Sequence, residues 1–368
     1  MASVTGLEGI VAAETELSLV DGQKGLLIYR GYEAKKLALE VGFEEAAYLL
    51  WHGQLPNEQQ LVDFCAKWAG LRALPAGIKA VINLLPQEFE MMSVLRTAIS
   101  AGEETNREAW PPVMEAAMRY TAMVPSIIAY RNRRLAGLEP VEPNPDLGHV
   151  ANYLYMLTGE VPLPAHVKAL TAYFILAMEH GMNASTFAGR VVLSTQSDLA
   201  SALCAAIGAM KGPLHGGAPS EVVHMLDAIA TKERAETWLR QRLEEGQRLI
   251  GFGHRVYKTF DPRAEALREM ISRLSADDAW FELAVYVESL ATRLLDEYKP
   301  GRKLYTNVEF YAASVLRAVH MPTALFTPTF TVSRMVGWTA HLLEQAGCNR
   351  IFRPQSIYIG AMPEIDEV

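Results

Sequence analysis

Apolar residues recur along most of this chain at the three-to-four-residue spacing of a helix face, and the breaks between them carry stop and start signals. FEEAAYLLWHG (43–53) opens on two acids and ends on Gly53, with Pro56 just beyond, which predicts a helix and its stop. NEQQLVDFCAKWA (57–69) begins on a capping asparagine and sets Leu61, Phe64, Cys65 and Trp68 along one stripe. Pro75 and Pro86 bracket a short helix in AGIKAVINLL, and SVLRTAISA and REAWPPVMEAAMRYTAMVPSIIAYRNRRLAG continue helically, with prolines as starts or kinks. LEPVEPNPDLGH (138–149) holds three prolines and reads as a loop.

LGHVANYLYMLTG, LPAHVKALTAYFILAMEHGMNASTFAGRVVLST and LASALCAAIGAMKG then form an apolar centre with sparse charge, the pattern of helices buried on several sides. The segments 231–249, 261–274 and 278–299 are more amphipathic and predict a smaller, more exposed module. Only LSLVD, LLIYR and IFRPQ invite a strand reading. The fold class is mainly α.

Composition narrows this picture further. At 368 residues the chain exceeds the usual size of one core, so two domains are expected. No apolar run approaches the roughly 20 residues that span a bilayer, and the first residues, MASVTGLEGIVAAETE, lack the pattern of a secretory signal; a cytoplasmic protein without membrane association is the expectation. Cys65, Cys204 and Cys348 share no ligand-like spacing and are expected as small buried side chains rather than a disulfide framework. A formal charge of −8 argues against nucleic acid as a partner. A site for small anions must therefore gather arginine, histidine or helix N-termini locally.

Three stretches offer such a gathering. Read as one helix, MEHGMNASTFAGR (178–190) puts His180, Asn183, Phe187 and Arg190 on one face, either as a buried polar network or as the wall of an anion site. In KGPLHGGAPSE (211–221), Pro213 fixes geometry and Gly212, Gly216 and Gly217 permit close approach; His215 is there a donor to a carbonyl oxygen or a structural histidine at a tight junction. GFGHRVYKTFDPRAEAL (251–267) lacks the third glycine of a dinucleotide fingerprint. It crowds His254, Arg255, Lys258 and Arg263 before a helix capped at Asp261 with Pro262 first, which is a basic loop in solvent or a carboxylate and phosphate grip. Arg334 lies on an otherwise apolar helix, Arg353 precedes a proline, and Glu309 follows a basic approach in KLYTNVEF (303–310). No metal set is expected, since neither H-E-x-x-H nor paired-cysteine spacing occurs.

Six of these motifs, in order, resemble the citrate synthase family: MEHGMNASTF, MKGPLHGGAPSEV, GFGHRVYKTFDPRAEAL, KLYTNVEFYAA, SRMVGW and RPQSIYIG, supported by IYRGY and LGHVANYLYMLTG. The match is similar to the short type I bacterial enzymes, including those acting on 2-methylcitrate precursors. The resemblance implies a homodimer with a two-domain helical fold, in which residues 1–217 and 320–368 form a large domain and 218–319 an inserted small one. It implies citrate formation from oxaloacetate and acetyl-CoA, the latter a cosubstrate, with no tightly bound cofactor. His180, His254, Arg263 and Arg334 would bind oxaloacetate, joined by Arg353 from the partner subunit. His215 would donate to the thioester carbonyl, His254 would polarise the ketone, and Glu309 would be the carbon-acid base, where the family pattern N-V-D-F reads N-V-E-F. Arg255, Lys258, Arg302 and Lys303 offer a basic neighbourhood for CoA phosphates. Two alternatives stand beside this reading: a 2-methylcitrate synthase using propionyl-CoA, and a weakly catalytic oxaloacetate- or citrate-binding sensor.

Overall fold

The computed structural model describes residues 5–7, 9–102, 110–216, 218–254, 256–274 and 278–362. A small antiparallel sheet comes first, with β1 (Ser18–Asp21), β2 (Leu26–Tyr29) and β3 (Tyr32–Glu33) in that order. Ser18 pairs with Tyr29 and Asp21 with Leu26, and the hairpin tip is shaped by Asp21 Oδ1, which accepts the Gln23 and Lys24 amides at 3.0 Å each.

Helices follow for the remainder. The first seven are α1 (Ala34–Glu40), α2 (Phe43–His52), α3 (Glu58–Gly70), α4 (Ala76–Leu84), α5 (Met91–Ala101), α6 (Met114–Leu135) and α7 (His149–Thr158). The apolar centre supplies α8 (Pro164–Ala177), α9 (Ala184–Ser194) and α10 (Leu199–Lys211). Then come α11 (Ala218–Ile229), α12 (Lys232–Glu244), α13 (Pro262–Leu274), α14 (Ala279–Tyr298), α15 (Val308–Ala318) and α16 (Phe326–Gly347).

The expected caps are in place. Gly53 stops α2 in the left-handed conformation, and Asn57 accepts the Gln60 amide while Gln60 returns the bond, a reciprocal capping box. Helix α16 is buried along nearly its whole length and packs against α2, α5, α6, α8, α9 and α10. A second group, α11 to α15, packs on itself and meets the first where α13 and α15 reach α8. His149 stacks on Trp68 and Phe43 with centroids 4.5 and 5.3 Å away; burial, aided by Arg72, holds it neutral. It supports helix packing.

Three expectations change. Residues 178–190 are not one helix: α8 ends at Ala177 and α9 starts at Ala184. The break follows from Glu179, whose Oε1 accepts the Gly181 amide at 2.5 Å, from Gly181 at φ +60°, and from Asn183, whose Oδ1 caps α9 through the Thr186 amide. His180 and Arg190 therefore share no face, and Arg190 instead bonds Glu344, His341 and Gln345 at 2.8–3.0 Å. IFRPQ forms no strand. Cys65 and Cys204 are half-buried and Cys348 is exposed, so none is a core side chain.

The break also needs Gly337. A β-carbon on this α16 residue would collide with the Met178 carbonyl oxygen and lie 2.7 Å from Glu179 Oε2. Gly337→Ala should destabilise the fold by about 1–3 kcal/mol, the usual scale of overpacking, measured by chemical denaturation; an unchanged midpoint would show that α16 shifts freely here.

Candidate active site

The anion-binding end is organised by one buried carboxylate. Asp261 Oδ1 accepts the Arg263 amide and Arg263 Nε at 3.0 Å each. Its Oδ2 accepts Arg263 Nη2 at 2.9 Å and the Val308 amide at 3.0 Å. Pro262 opens α13 with no amide to leave unpaired. The result is a buried guanidinium held along one edge by a charge-assisted pair.

The loop carrying His254 is zipped to the approach to α15. Gly253 donates its amide to the Tyr305 carbonyl at 2.7 Å, and Asn307 Nδ2 donates to the Gly253 carbonyl at 2.9 Å. Gly253 sits at φ +79° with the Leu304 side chain where a β-carbon would be, so only glycine fits without strain. His254 Nδ1 accepts two amides, from Val256 at 3.0 Å and Tyr257 at 3.1 Å. Burial, then the Arg263 charge, pushes its pKa down to about 4. The ring is thus neutral with its proton on Nε2, and that N–H faces Arg263 Nη2 at 3.3 Å. Two donor nitrogens thus lie 3.3 Å apart, a pair that a ligand oxygen could bridge.

His180 joins from the α8–α9 break, with Nε2 3.2 Å from the Tyr257 hydroxyl and its ring 5.5 Å from that of His254. Burial and then Arg263 hold it well below the ordinary imidazole range. Arg334 enters from α16 and is 2% exposed. Its Nε donates to the Ala177 carbonyl at 2.6 Å, and it has no ion-pair partner among the described residues.

The opposite end holds a carboxylate and a third imidazole. Glu309 is the second residue of α15, behind its cap Asn307. Its pKa is raised to about 7, first by burial, against the lowering effect of Arg263; Asp261 adds to the rise and Arg334 opposes it. His215 Nε2 lies 2.7 Å from Ser185 Oγ, which also accepts Trp338 Nε1–H at 3.0 Å. Burial, then Arg334, brings His215 down to about 4. All three imidazoles are neutral hydrogen-bonding groups near neutral pH.

The structure thus brings together His180, His254, Arg263, Arg334, Glu309 and His215. Arg353 stands apart, exposed on the extended segment after α16, and Lys258, Arg302 and Lys303 are exposed on the surrounding loops; Arg255 lies outside the described residues. Tyr257, Ser185, Trp338 and Asn307 escaped the sequence reading as contributors. Asn307, two places before Glu309, carried a legible capping signal; the Ser185–His215 contact links residues 30 positions apart and carried none. No group of three or more metal-ligating side chains occurs among the described residues, and no helix among them is long and apolar enough to cross a membrane.

Comparison with known proteins accords with this geometry. The family model described as "Citrate synthase, C-terminal domain" matches residues 6–355. Citrate synthase 2 of Bacillus subtilis is 42% identical, over 98% of this chain and 96% of that protein. The 2-methylcitrate synthase of Mycobacterium tuberculosis is 39% identical, over 96% and 90%. The citrate synthase of the archaeon Thermoplasma acidophilum, solved in a ternary complex with carboxymethyl coenzyme A and oxaloacetate, superposes with a TM-score of 0.90 at 29% identity, over 98% of this chain and 96% of that one. With its mainly helical fold and its full-length match, this chain belongs to the citrate synthase family.

Proposed function

We propose that the chain condenses acetyl-CoA with oxaloacetate and hydrolyses citryl-CoA to citrate and CoA. One observation carries the reading: Glu309, titrating near 7, lies within electrostatic reach of two buried guanidiniums, Arg263 and Arg334, beside neutral His180 and His254. Two guanidiniums with neutral donors suit a small dianion carrying a ketone. A carboxylate near neutrality suits proton abstraction from carbon.

In this mechanism Arg263, Arg334 and His180 hold oxaloacetate, and His254 Nε2–H donates to its ketone oxygen. Glu309 takes a proton from the acetyl methyl while His215 donates to the thioester oxygen, where charge develops. The new carbon nucleophile adds to the ketone carbon, and water then cleaves the citryl thioester. The single Ser185 hydroxyl proton has two acceptors at 2.7 Å, Asn183 Oδ1 and His215 Nε2; for His215 to donate toward the thioester from Nδ1, that proton must pass from Asn183 to Nε2.

Residues 218–319 are assigned to a small domain that closes over both substrates, excluding bulk water. Arg255, Lys258, Arg302 and Lys303 are assigned to CoA phosphates, and no tightly bound cofactor is required. A homodimer is proposed as well. Ile351, Ile357, Tyr358, Ile359 and Met362 are all more than half exposed, an apolar ribbon that a second copy would cover while receiving Arg353.

Steady-state rates with acetyl-CoA and propionyl-CoA, each with oxaloacetate and product identification, test the substrate. One methylene is worth about 1–3 kcal/mol in a pocket, so acetyl-CoA should lead in kcat/KM by about tenfold or more; a lead for propionyl-CoA would reassign the activity to 2-methylcitrate formation. Glu309→Ala should slow hydrogen exchange at the acetyl methyl by about 100- to 10,000-fold and leave oxaloacetate affinity intact. Near-normal exchange would remove Glu309 as the base.

The same carboxylate predicts a stability signature. Its folded pKa of about 7 exceeds the ordinary 4.5, so between those pH values the folded chain holds the proton more tightly than the unfolded one. Stability from this group is present below about 4.5 and lost as pH rises toward 7. Glu309→Gln should therefore melt above the parent at pH 8, with the gap narrowing toward pH 4.5; a pH-independent gap would contradict the assigned burial of charge.

A further inference from the structure

Two of the three histidine-bearing segments of the site, those of His180 and His254, come from distant parts of the chain, and one small element touches both. On one side, the β1–β2 hairpin grips the break that presents His180. Ser18 Oγ on β1 donates to Glu179 Oε1 at 2.8 Å, and Tyr29 hydroxyl on β2 donates to the Glu179 carbonyl at 2.8 Å. A β-carbon on Gly181 would meet Val20 Cγ2 at 3.3 Å, so Val20 closes over the turn itself. Three consecutive hairpin–turn contacts thus surround residues 179–181.

On the other side, the tip of the same hairpin meets the loop that follows His254. The Lys258 amide donates to the Gly22 carbonyl at 2.8 Å. The approach is so close that a β-carbon on Gly22 would fall onto the Val256 carbonyl oxygen, and one on Gly25 would lie 2.8 Å from Thr259 Cγ2 and 2.9 Å from the Phe260 carbonyl oxygen. Val256 is also the residue whose amide donates to His254 Nδ1. Displacing Val256 therefore loosens the bond that fixes the His254 tautomer.

We infer that Gly22 is a positioning residue: its bare backbone lets the hairpin tip dock on residues 256–260 and hold the His254 loop in register with the His180 turn. Gly25 serves the same approach and is also required locally, since it sits at φ +66°. Gly22 has no such backbone demand, and its identity is set by the docking alone. The ligand that reads out this docking is oxaloacetate, so the inference rests on the proposed function for its choice of probe.

The expected phenotype follows from population arithmetic. When only a fraction of molecules has the loop docked, the apparent affinity falls by that fraction, and saturating ligand restores the docked state. Gly22→Ala should raise both the oxaloacetate Kd by calorimetry and the oxaloacetate KM by about tenfold or more, with kcat at saturation within about threefold of the parent. Gly77→Ala, where an added methyl meets nothing within 4 Å, should change neither. Asp21→Ala removes the acceptor that shapes the tip without adding a clash, and should shift KM the same way by a smaller factor; it decides the question where Gly22→Ala does not fold.

Amide exchange supplies a reading that needs no ligand: the Lys258 amide should exchange faster in either hairpin variant than in the parent. A folded variant with unchanged KM and unchanged Lys258 exchange overturns the inference, as does a loss of kcat at constant KM. Should the parent itself fail to bind oxaloacetate, the proposed function falls, and the docking is judged by amide exchange alone.

Discussion

The site depends on the carboxylate of Asp261. Each of its oxygens takes two hydrogen bonds, and the four donors come from two helices: the Arg263 backbone and side chain on α13, and the Val308 amide at the start of α15. One buried charge therefore caps α13, orients the Arg263 guanidinium, and ties down the turn that carries Glu309. A buried pair of this kind contributes little net stability, because desolvation offsets the Coulomb gain. Its value here is geometric. Removing either partner would leave an uncompensated charge and also free the turn that carries Glu309 from α13.

A second arginine system shows how a fully partnered guanidinium differs from Arg334. Arg190 is as buried as Arg334, yet it spends its donors on Gln345, His341 and Glu344. Because Arg190 donates to His341 Nδ1, the proton of a neutral ring sits on Nε2 and reaches Glu179 Oε1 at 3.0 Å. Burial opposes the Glu179 charge, but His341, the Arg334 field and Ser18 together hold its carboxyl below the ordinary range. That network is closed apart from Glu179 Oε2, which has no hydrogen-bond partner. Arg334, by contrast, has one carbonyl acceptor and no ion-pair partner among the described residues. A buried cation left this way is costly on its own, and the arrangement of Arg334, Arg263 and the His254 N–H is most favourable with an anion among them.

Much of this was legible in the sequence wherever the signal was local. Gly53 and Asn57 announced their helix ends, and the Asp261–Pro262 pair announced the start of α13, because caps are satisfied within a few residues. His180, His215, His254, Arg263 and Arg334, which the structure gathers together, all lie in the motifs that carry the resemblance. The 178–190 segment misled because its apolar spacing continues through the break, while one of the things the break needs is Gly337, an α16 residue more than 150 positions away whose bare backbone leaves room for Met178. Asn183, read there as one position of a continuous helix face, is instead the N-cap of α9. The partners of Arg190 lie 151–155 positions distant; pairing across such a span is fixed by tertiary packing, which leaves no periodic trace.

Glu309 shows how opposing local effects set the titration of one carboxyl group. As the second residue of α15 it stands at the positive end of a helix dipole, which favours the carboxylate, and Arg263 and Arg334 pull the same way. Burial and Asp261 push toward the acid and prevail, leaving a pKa of about 7. An aspartate at this place would feel the same dipole and the same guanidiniums, since these depend on the backbone position. What the extra methylene changes is how far the carboxylate stands from the helix end and how many rotamers it must give up to hold one position. The exchange of the family's aspartate for glutamate therefore acts on placement rather than on basicity, and it puts the burden of accuracy on Asn307 and Val308, the two residues that anchor this turn to the His254 loop and to Asp261.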